Sequence, residues 1–164
     1  MPRPIPYAKN AEKRQMRSAA RLAAVQALYQ MEIGKESMPK VRAEFETHRF
    51  GMEIDGIQMR EADVDLFREI LDDVVTRQAA IDQMTDRALV DRWPLGRIDS
   101  TLRALFRAAC AELQDQNGAP PKVIISEYID VAKAFWPEGK EPGLVNAVLD
   151  IIAREQRPDA FEKA

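Results

Sequence analysis

The stretch Lys13–Tyr29, KRQMRSAARLAAVQALY, changes character halfway along, and the rest of the chain is best interpreted from it. If it is a helix, its first half places Lys13, Arg17 and Arg21 four residues apart on one side, with Arg14 beside them. Its second half carries a core-facing apolar stripe diluted with alanine, formed by Leu22, Val25, Leu28 and Tyr29. The pattern predicts a helix anchored in a core at its C-terminal end, with an N-terminal end that presents positive charge to a polyanion.

The charge of the chain is distributed unevenly. Residues 1–22 contain six Lys and Arg against one Glu, a net +5, so the remainder carries −8 within the total of −3. A pI of about 5.3 would argue against a nucleic-acid partner if the charge were evenly spread, but the asymmetry favours one. The alternative is a solvated basic face that has no ligand.

Length and composition indicate one globular domain. A chain of 164 residues is long enough to bury a core, and no apolar run approaches the ~20 residues that span a bilayer. The N-terminal segment MPRPIPYAKN is not followed by an apolar stretch, so a secretory signal is not expected. The single cysteine, Cys110, permits no internal disulfide. We therefore expect a cytoplasmic protein.

Apolar residues at helical spacing predict an all-α bundle of six to seven helices with short connections. The expected helices cover about 11–33, 39–50, 61–91 with an unlocated bend, 99–115 from a cap at Asp99 or Ser100, 121–135 and 142–154. The segment 51–59 is expected to be a loop, and residues 93–96 (WPLG) are expected to break the helical pattern. Residues 1–10 are predicted to be a flexible arm, 11–156 a single helical domain and 157–164 a C-terminal tail.

Residues that carry catalysis or bind metal are sparse. His48 is the only histidine and Cys110 the only cysteine, which excludes zinc sites of the Cys/His type. The seven glycines stand singly, so no phosphate-binding loop is present. Carboxylates near the start of the third helix lie mostly opposite its apolar residues, which predicts a solvated acidic face: Asp63, Asp65, Glu69, Asp72 and Asp73. We predict a binding protein that is not an enzyme and has no cofactor and no metal.

Four stretches, in the same order along the chain, resemble the bacterial transcription antitermination factor NusB family. They are AAVQALY at 23–29; WPLGRI at 93–98 with LFR at 105–107; PKVIISE at 121–127 with AKAF at 132–135; and LVNAVLD at 144–150. The resemblance spans about residues 13–152, nearly the whole chain.

The resemblance implies an all-helical fold of two small helical subdomains. It also implies an arginine-rich segment that binds single-stranded boxA RNA together with NusE, a protein of the small ribosomal subunit. With other Nus factors, the pair would help RNA polymerase read through terminators, notably on ribosomal RNA operons. The implied RNA-binding residues are Arg17, Arg21, Gln26, Tyr29 and Asn146, to which the basic stripe adds Lys13 and Arg14. A homodimer through apolar helix faces is a further hypothesis.

The chain departs from the family pattern in ways that bear on RNA binding. Ser18, Ala19 and Ala20 thin the family's run of adjacent arginines, and Leu144 stands where an aromatic residue is common. Tyr29 would offer a base a stacking platform worth ~1–3 kcal/mol if its ring is exposed. The alternative interpretation is that Tyr29 is a core residue with only its hydroxyl at the surface.

Three other functions fit a small helical protein. A helix-turn-helix DNA regulator would need a second basic helix, yet 121–135 carries only Lys122 and Lys133. The same helical module occurs as the RNA-binding part of some rRNA methyltransferases, but this chain has no room for a catalytic domain. A helical interaction module would dock its basic end on an acidic protein partner.

Overall fold

The computed structural model describes residues 6–51, 53–54, 57–58, 61–89 and 98–162. The all-α prediction is confirmed. In chain order the helices are α1 (Pro6–Gly34), α2 (Met38–His48), α3 (Val64–Leu89), α4 (Ser100–Gln114), α5 (Pro121–Phe135) and α6 (Glu141–Gln156), followed by a 3-10 turn at Pro158–Phe161. Within these ranges, no helix has both the length and the apolar character needed to cross a membrane.

Helix α4 lies at the centre of the bundle, where it packs against α1, α3, α5 and α6. Ten of its fifteen residues are buried, and four of those ten are alanines, which allow neighbouring helices to approach closely. The predicted cap is present: the Asp99 carboxylate accepts hydrogen bonds from the backbone N–H groups of Thr101 (2.8 Å) and Leu102 (3.4 Å). One continuous hydrophobic core contains residues from all six α-helices.

An aromatic cluster joins α2 to α3. The ring of Phe45 lies 5.7 Å from that of Phe67, and Phe50 meets Phe67 edge-to-face at 5.0 Å between centroids. Phe45 and Phe67 are buried, so they fix α2 on the bundle.

Several boundaries differ from the sequence predictions. α1 begins at Pro6 rather than near residue 11, because proline suits the first position of a helix; residues 1–5 of the predicted arm lie outside the described ranges. The segment 51–59, predicted to be a loop, contains a hairpin of two short strands: β1 (Glu53–Ile54) pairs antiparallel with β2 (Ile57–Gln58). The bend in α3 is at Arg77, whose backbone is non-helical (φ −121°, ψ 23°). The predicted break at 93–96 lies outside the described residues.

The predicted C-terminal tail is attached at its first residue. Arg157 is buried, and its guanidinium donates to the carbonyl oxygens of Glu112 (2.8 Å), Leu113 (2.9 Å) and Ala119 (2.6 Å). Two of these carbonyls belong to the last turn of α4, where that of Glu112 also accepts from the Asp115 backbone N–H at 3.2 Å. Arg157 therefore caps α4, so the first residue of the predicted tail, 157–164, packs on the bundle.

Candidate nucleic-acid interface

The N-terminal half of α1 presents cations to solvent. Lys13 and Arg14 are exposed and Arg17 is half-buried. None of the residues that the structure describes forms an ion pair with these three side chains. Guanidinium and ammonium groups that have no protein partner are available to phosphates.

The start of α3 is held against this basic half. The backbone N–H of Asp63 donates to the carbonyl of Met16 at 3.0 Å, and the Asp63 carboxylate caps α3 by accepting from the N–H of Leu66 at 3.0 Å. Lys13 and Arg17 line a shallow groove of about 360 Å³ along this seam. The seam fixes the direction of α1 relative to the bundle.

On the same side, the acidic face of α3 turns toward Arg17. A cavity of about 270 Å³ is lined by two arginines and six carboxylates: Arg17, Arg21, Asp63, Asp65, Glu69, Asp73, Glu112 and Asp115. Burial, with repulsion from neighbouring carboxylates, raises the pKa of Glu69, and burial also raises the pKa of Asp73. The predicted acidic face is thus partly gathered into a cavity, which repels phosphates on the α3 side of α1. No group suited to hold a metal ion occurs among the described residues.

Arg21 is not part of the exposed stripe, and this corrects the sequence prediction. Its side chain is 2% exposed, and the guanidinium meets Glu112 at two points, Nε–Oε2 at 2.8 Å and Nη2–Oε1 at 3.0 Å. Burial lowers the pKa of Arg21, but the hydrogen bond and charge of Glu112 outweigh it, so the pKa is raised overall. A buried guanidinium is tolerated because it is paired.

The side chains around Arg21 form a network across three helices. The Tyr128 hydroxyl donates to Glu112 Oε2 at 2.6 Å, and the Ser18 hydroxyl donates to Glu127 Oε2 at 2.8 Å. Glu127 Oε1 lies 3.5 Å from Arg21 Nη1. We call these residues (Ser18, Arg21, Glu112, Glu127 and Tyr128) the Arg21 network; it ties the middle of α1 to α4 and α5. Sequence reasoning missed this network. The signal that could have indicated the burial of Arg21 is the alanines beside it, which are typical of close helix packing.

Further along α1, Gln26 and Tyr29 line a groove toward α2. Tyr29 is 39% exposed, so its ring is at the surface as a stacking platform requires. The groove has a volume of about 410 Å³ and also contains Ile33, Phe135 and Arg49. We call it the Tyr29 groove.

The predicted site residues do not share one face of α1. A helix advances by about 100° and 1.5 Å per residue, so Gln26 lies about half a turn around the helix from Arg17. Tyr29 lies about a third of a turn from Arg17 and roughly 18 Å along the axis, but only about a sixth of a turn from Arg14. Arg14 is therefore the cation best placed to continue toward the Tyr29 groove.

Asn146 lies on a third surface. It is exposed on α6 and lines a groove of about 710 Å³ between α5 and α6. The same groove contains cations that sequence reasoning did not assign: Lys122, Lys133 and Arg154. Five of the candidate residues thus line three separate grooves: Lys13 and Arg17, Gln26 and Tyr29, and Asn146.

Comparison with known sequences defines the class of protein. The chain is 48% identical over 158 residues to a transcription antitermination protein of Rhodopseudomonas palustris (strain BisB18), covering 96% of this chain and 93% of the relative. It is 53% identical over 147 residues to its counterpart in Mesorhizobium japonicum, covering 90% and 94%. The chain therefore belongs to the class of transcription antitermination proteins.

Both relatives are named NusB, and the NusB family model matches residues 18–154. The chain belongs to the NusB family. A solved structure of T. maritima NusB superposes with a TM-score of 0.70 at 28% identity, covering 89% of this chain and 96% of that chain. A crystal structure of antitermination factors NusB and NusE in complex with dsRNA gives a TM-score of 0.68, covering 86% and 98%; at 20% identity it supports the fold alone.

Proposed function

We propose that the protein is a transcription antitermination factor that binds boxA-type single-stranded RNA together with NusE. The complex, with RNA polymerase and other Nus factors in the cytoplasm, promotes read-through, notably on ribosomal RNA operons. The role is binding without catalysis. The observation that carries the proposal is the cationic end of α1, Lys13, Arg14 and Arg17, which has no ion-pair partner among the described residues of a NusB-family chain.

The chemistry of the three cations suits single-stranded RNA. Arg14 and Arg17 offer planar forks for phosphate oxygens and can stack on unpaired bases, while Lys13 adds a point charge. Tyr29 would supply a base platform and Gln26 a hydrogen-bonding amide beside it. Asn146 would contact RNA only if the strand extends to the groove between α5 and α6. Arg21 would position α1 without touching RNA, because its guanidinium is buried.

The test is fluorescence anisotropy of a labelled boxA-type RNA strand at several salt concentrations, with and without NusE. Neutralising three phosphates predicts a log–log salt slope of about −2 for a single strand. The Arg14→Ala/Arg17→Ala variant should lose roughly 1.4 of that slope. Arg42→Ala/Arg87→Ala is the matched control, because it also removes two arginine charges. Arg42 of α2 is ion-paired with Asp72, and Arg87 of α3 is ion-paired with Glu155.

A preference for this strand over a scrambled one, and tighter binding with NusE, are the expected results. Equal affinity for both strands, or equal losses in the two double variants, would contradict the proposal. If an acidic protein instead bound the α1 end without RNA, the interaction-module alternative would be supported.

A further inference from the structure

We propose that the Tyr29 groove is a nucleotide subsite in which Arg49 binds a phosphate of the strand whose base stacks on Tyr29. The inference rests on the proposed RNA-binding function and adds a residue that neither the basic stripe nor the family resemblance assigned. It also specifies the direction in which the strand leaves the basic end of α1.

Arg49 is held in place before any ligand binds. Its guanidinium carbon lies 4.4 Å from the centroid of the Phe45 ring, a cation–π contact, and Phe45 is buried in the aromatic cluster. Its backbone N–H donates to the carbonyl of Phe45 at 3.1 Å, at the end of α2. The Arg49 side chain is exposed and has no carboxylate partner within the described ranges. The guanidinium is thus oriented by an aromatic ring while its charge remains uncompensated.

The walls of the groove suit a base. Tyr29 and Phe135 are exposed by 39% and 36%, and Ile33 adds an apolar edge. The Phe135 ring contacts that of Trp136 at 5.8 Å, and Trp136 packs on the core. An aromatic ring fixed in this way, as that of Phe135 is, offers a stacking surface without a large cost in side-chain ordering.

Charge distinguishes this side of α1 from the other. Six carboxylates and two arginines, Arg17 and the buried Arg21, line the cavity on the α3 side, whereas the described residues lining the Tyr29 groove include Arg49 and no acidic side chain. A polyanion that begins on Lys13 and Arg14 is therefore repelled by the carboxylates on the α3 side of α1 and attracted by Arg49 on the α2 side. Because Arg21 is buried in its network, Arg49 supplies positive charge at the end of the path where the stripe was expected to continue.

The experiment compares Arg49→Ala, Arg49→Lys and the control Arg42→Ala by anisotropy with the same labelled RNA at several salt concentrations. Arg42 is on α2, which ends immediately before Arg49, but it pairs with Asp72 at 3.6 Å and does not line the groove. Loss of one phosphate contact should reduce the log–log slope by about 0.7, which corresponds to about fivefold weaker binding at 0.1 M salt. Arg49→Lys should restore the slope, and Arg42→Ala should leave it within error of wild type.

Equal slopes for Arg49→Ala and Arg42→Ala would overturn the inference. If Arg17→Ala still lowered the slope in that case, the proposed function would stand and only the subsite would fail. If the Arg49 variants bound RNA normally but failed to bind a protein partner, the groove would be a protein-docking site. Sedimentation of Arg49→Ala beside wild type would reveal a second copy as the occupant, which would also overturn the inference.

Discussion

Arg21 and Glu112 form a two-point ion pair in the interior, although 91 residues separate them along the chain. Their side chains are 2% and 8% exposed. Tyr128 donates to the same carboxylate, so Glu112 receives hydrogen bonds from α1 and α5 together. The charge in the middle of α1 therefore serves to hold three helices together, while the charges nearer its start face solvent.

Removing one partner of this pair should destabilise the fold strongly. Arg21→Ala is expected to reduce the free energy of unfolding by about 3–5 kcal/mol, because it leaves the Glu112 carboxylate buried without its cation. Urea denaturation followed by circular dichroism measures the change. The double variant Arg21→Met/Glu112→Leu should recover much of the loss; a double variant less stable than Arg21→Ala would disprove the pairing argument.

Disturbing the Arg21 network should weaken RNA binding without changing its salt dependence. Ser18→Ala removes the hydrogen bond to Glu127 and leaves every charge in place. We expect weaker affinity for the labelled RNA with an unchanged log–log slope, because no phosphate contact is lost. Arg17→Ala, measured in parallel, should reduce the slope by about 0.7. A reduced slope for Ser18→Ala would mean that Ser18 lies at the RNA surface.

Arg157 should be far more important for stability than an exposed arginine nearby. Arg157→Ala removes a donor from three carbonyls, of which that of Glu112 keeps the Asp115 backbone N–H at 3.2 Å, and each buried group left unsatisfied costs roughly 1–3 kcal/mol. Thermal unfolding should show a marked decrease in Tm. The control is Arg154→Ala, an exposed residue paired with Asp150 four positions earlier, for which we expect a loss of under about 1 kcal/mol. Similar shifts for the two variants would contradict the capping role.

The acidic cavity should make the protein less stable as pH rises from mildly acidic to neutral. The pKa values of Glu69 and Asp73 are raised in the folded protein above their ordinary values of 4.5 and 3.8. The folded state then binds more protons than the unfolded state in the pH window above those values, so this contribution to stability is lost as the pH rises. Glu69→Gln/Asp73→Asn should raise Tm at pH 7, and the gain should disappear below about pH 4. Equal gains at both pH values would argue against the electrostatic cause.

Cys110 should be inert while the protein is folded. It is fully buried, its sulfur lies 3.4 Å from the Thr85 hydroxyl, and burial raises the pKa of the thiol to about 12. The thiolate is the reactive form, so a disulfide reagent at pH 8 should label the native protein only as fast as it unfolds. Rapid native labelling would show that α4 is more accessible than its packing indicates. Urea-unfolded protein provides the fully reactive control.

Features of the fold that are determined by adjacent residues could be predicted from the sequence, whereas features determined by residues distant in the chain could not. The cap of α4 and the extent of α5 follow from adjacent residues: the cap is Asp99, one of the two positions predicted, and α5 has the predicted bounds. The burial of Arg21 depends on Glu112, and that of Arg157 on the end of α4, neither of which is near in the chain. The position of Arg49 in the Tyr29 groove depends on tertiary structure, because the groove also contains Tyr29 and Phe135, which are distant from it in the chain. Spacing along one helix therefore identified the charged segment but not which of its charges would reach solvent.

Helix α1 is 29 residues long, and its side chains at 10 and 12–15 are exposed while those at 20, 21, 23, 24 and 25 are buried. The buried portion acts as a permanent nucleus: the unfavourable first turn is formed by packing, and the outer turns need only propagate from it. An isolated peptide of the outer segment would be largely unfolded in water. In the intact chain, a polyanion meets turns already templated by the bundle, so less ordering entropy is lost when it binds. Amide hydrogen exchange along α1 should accordingly slow in a graded manner from its start toward residue 21.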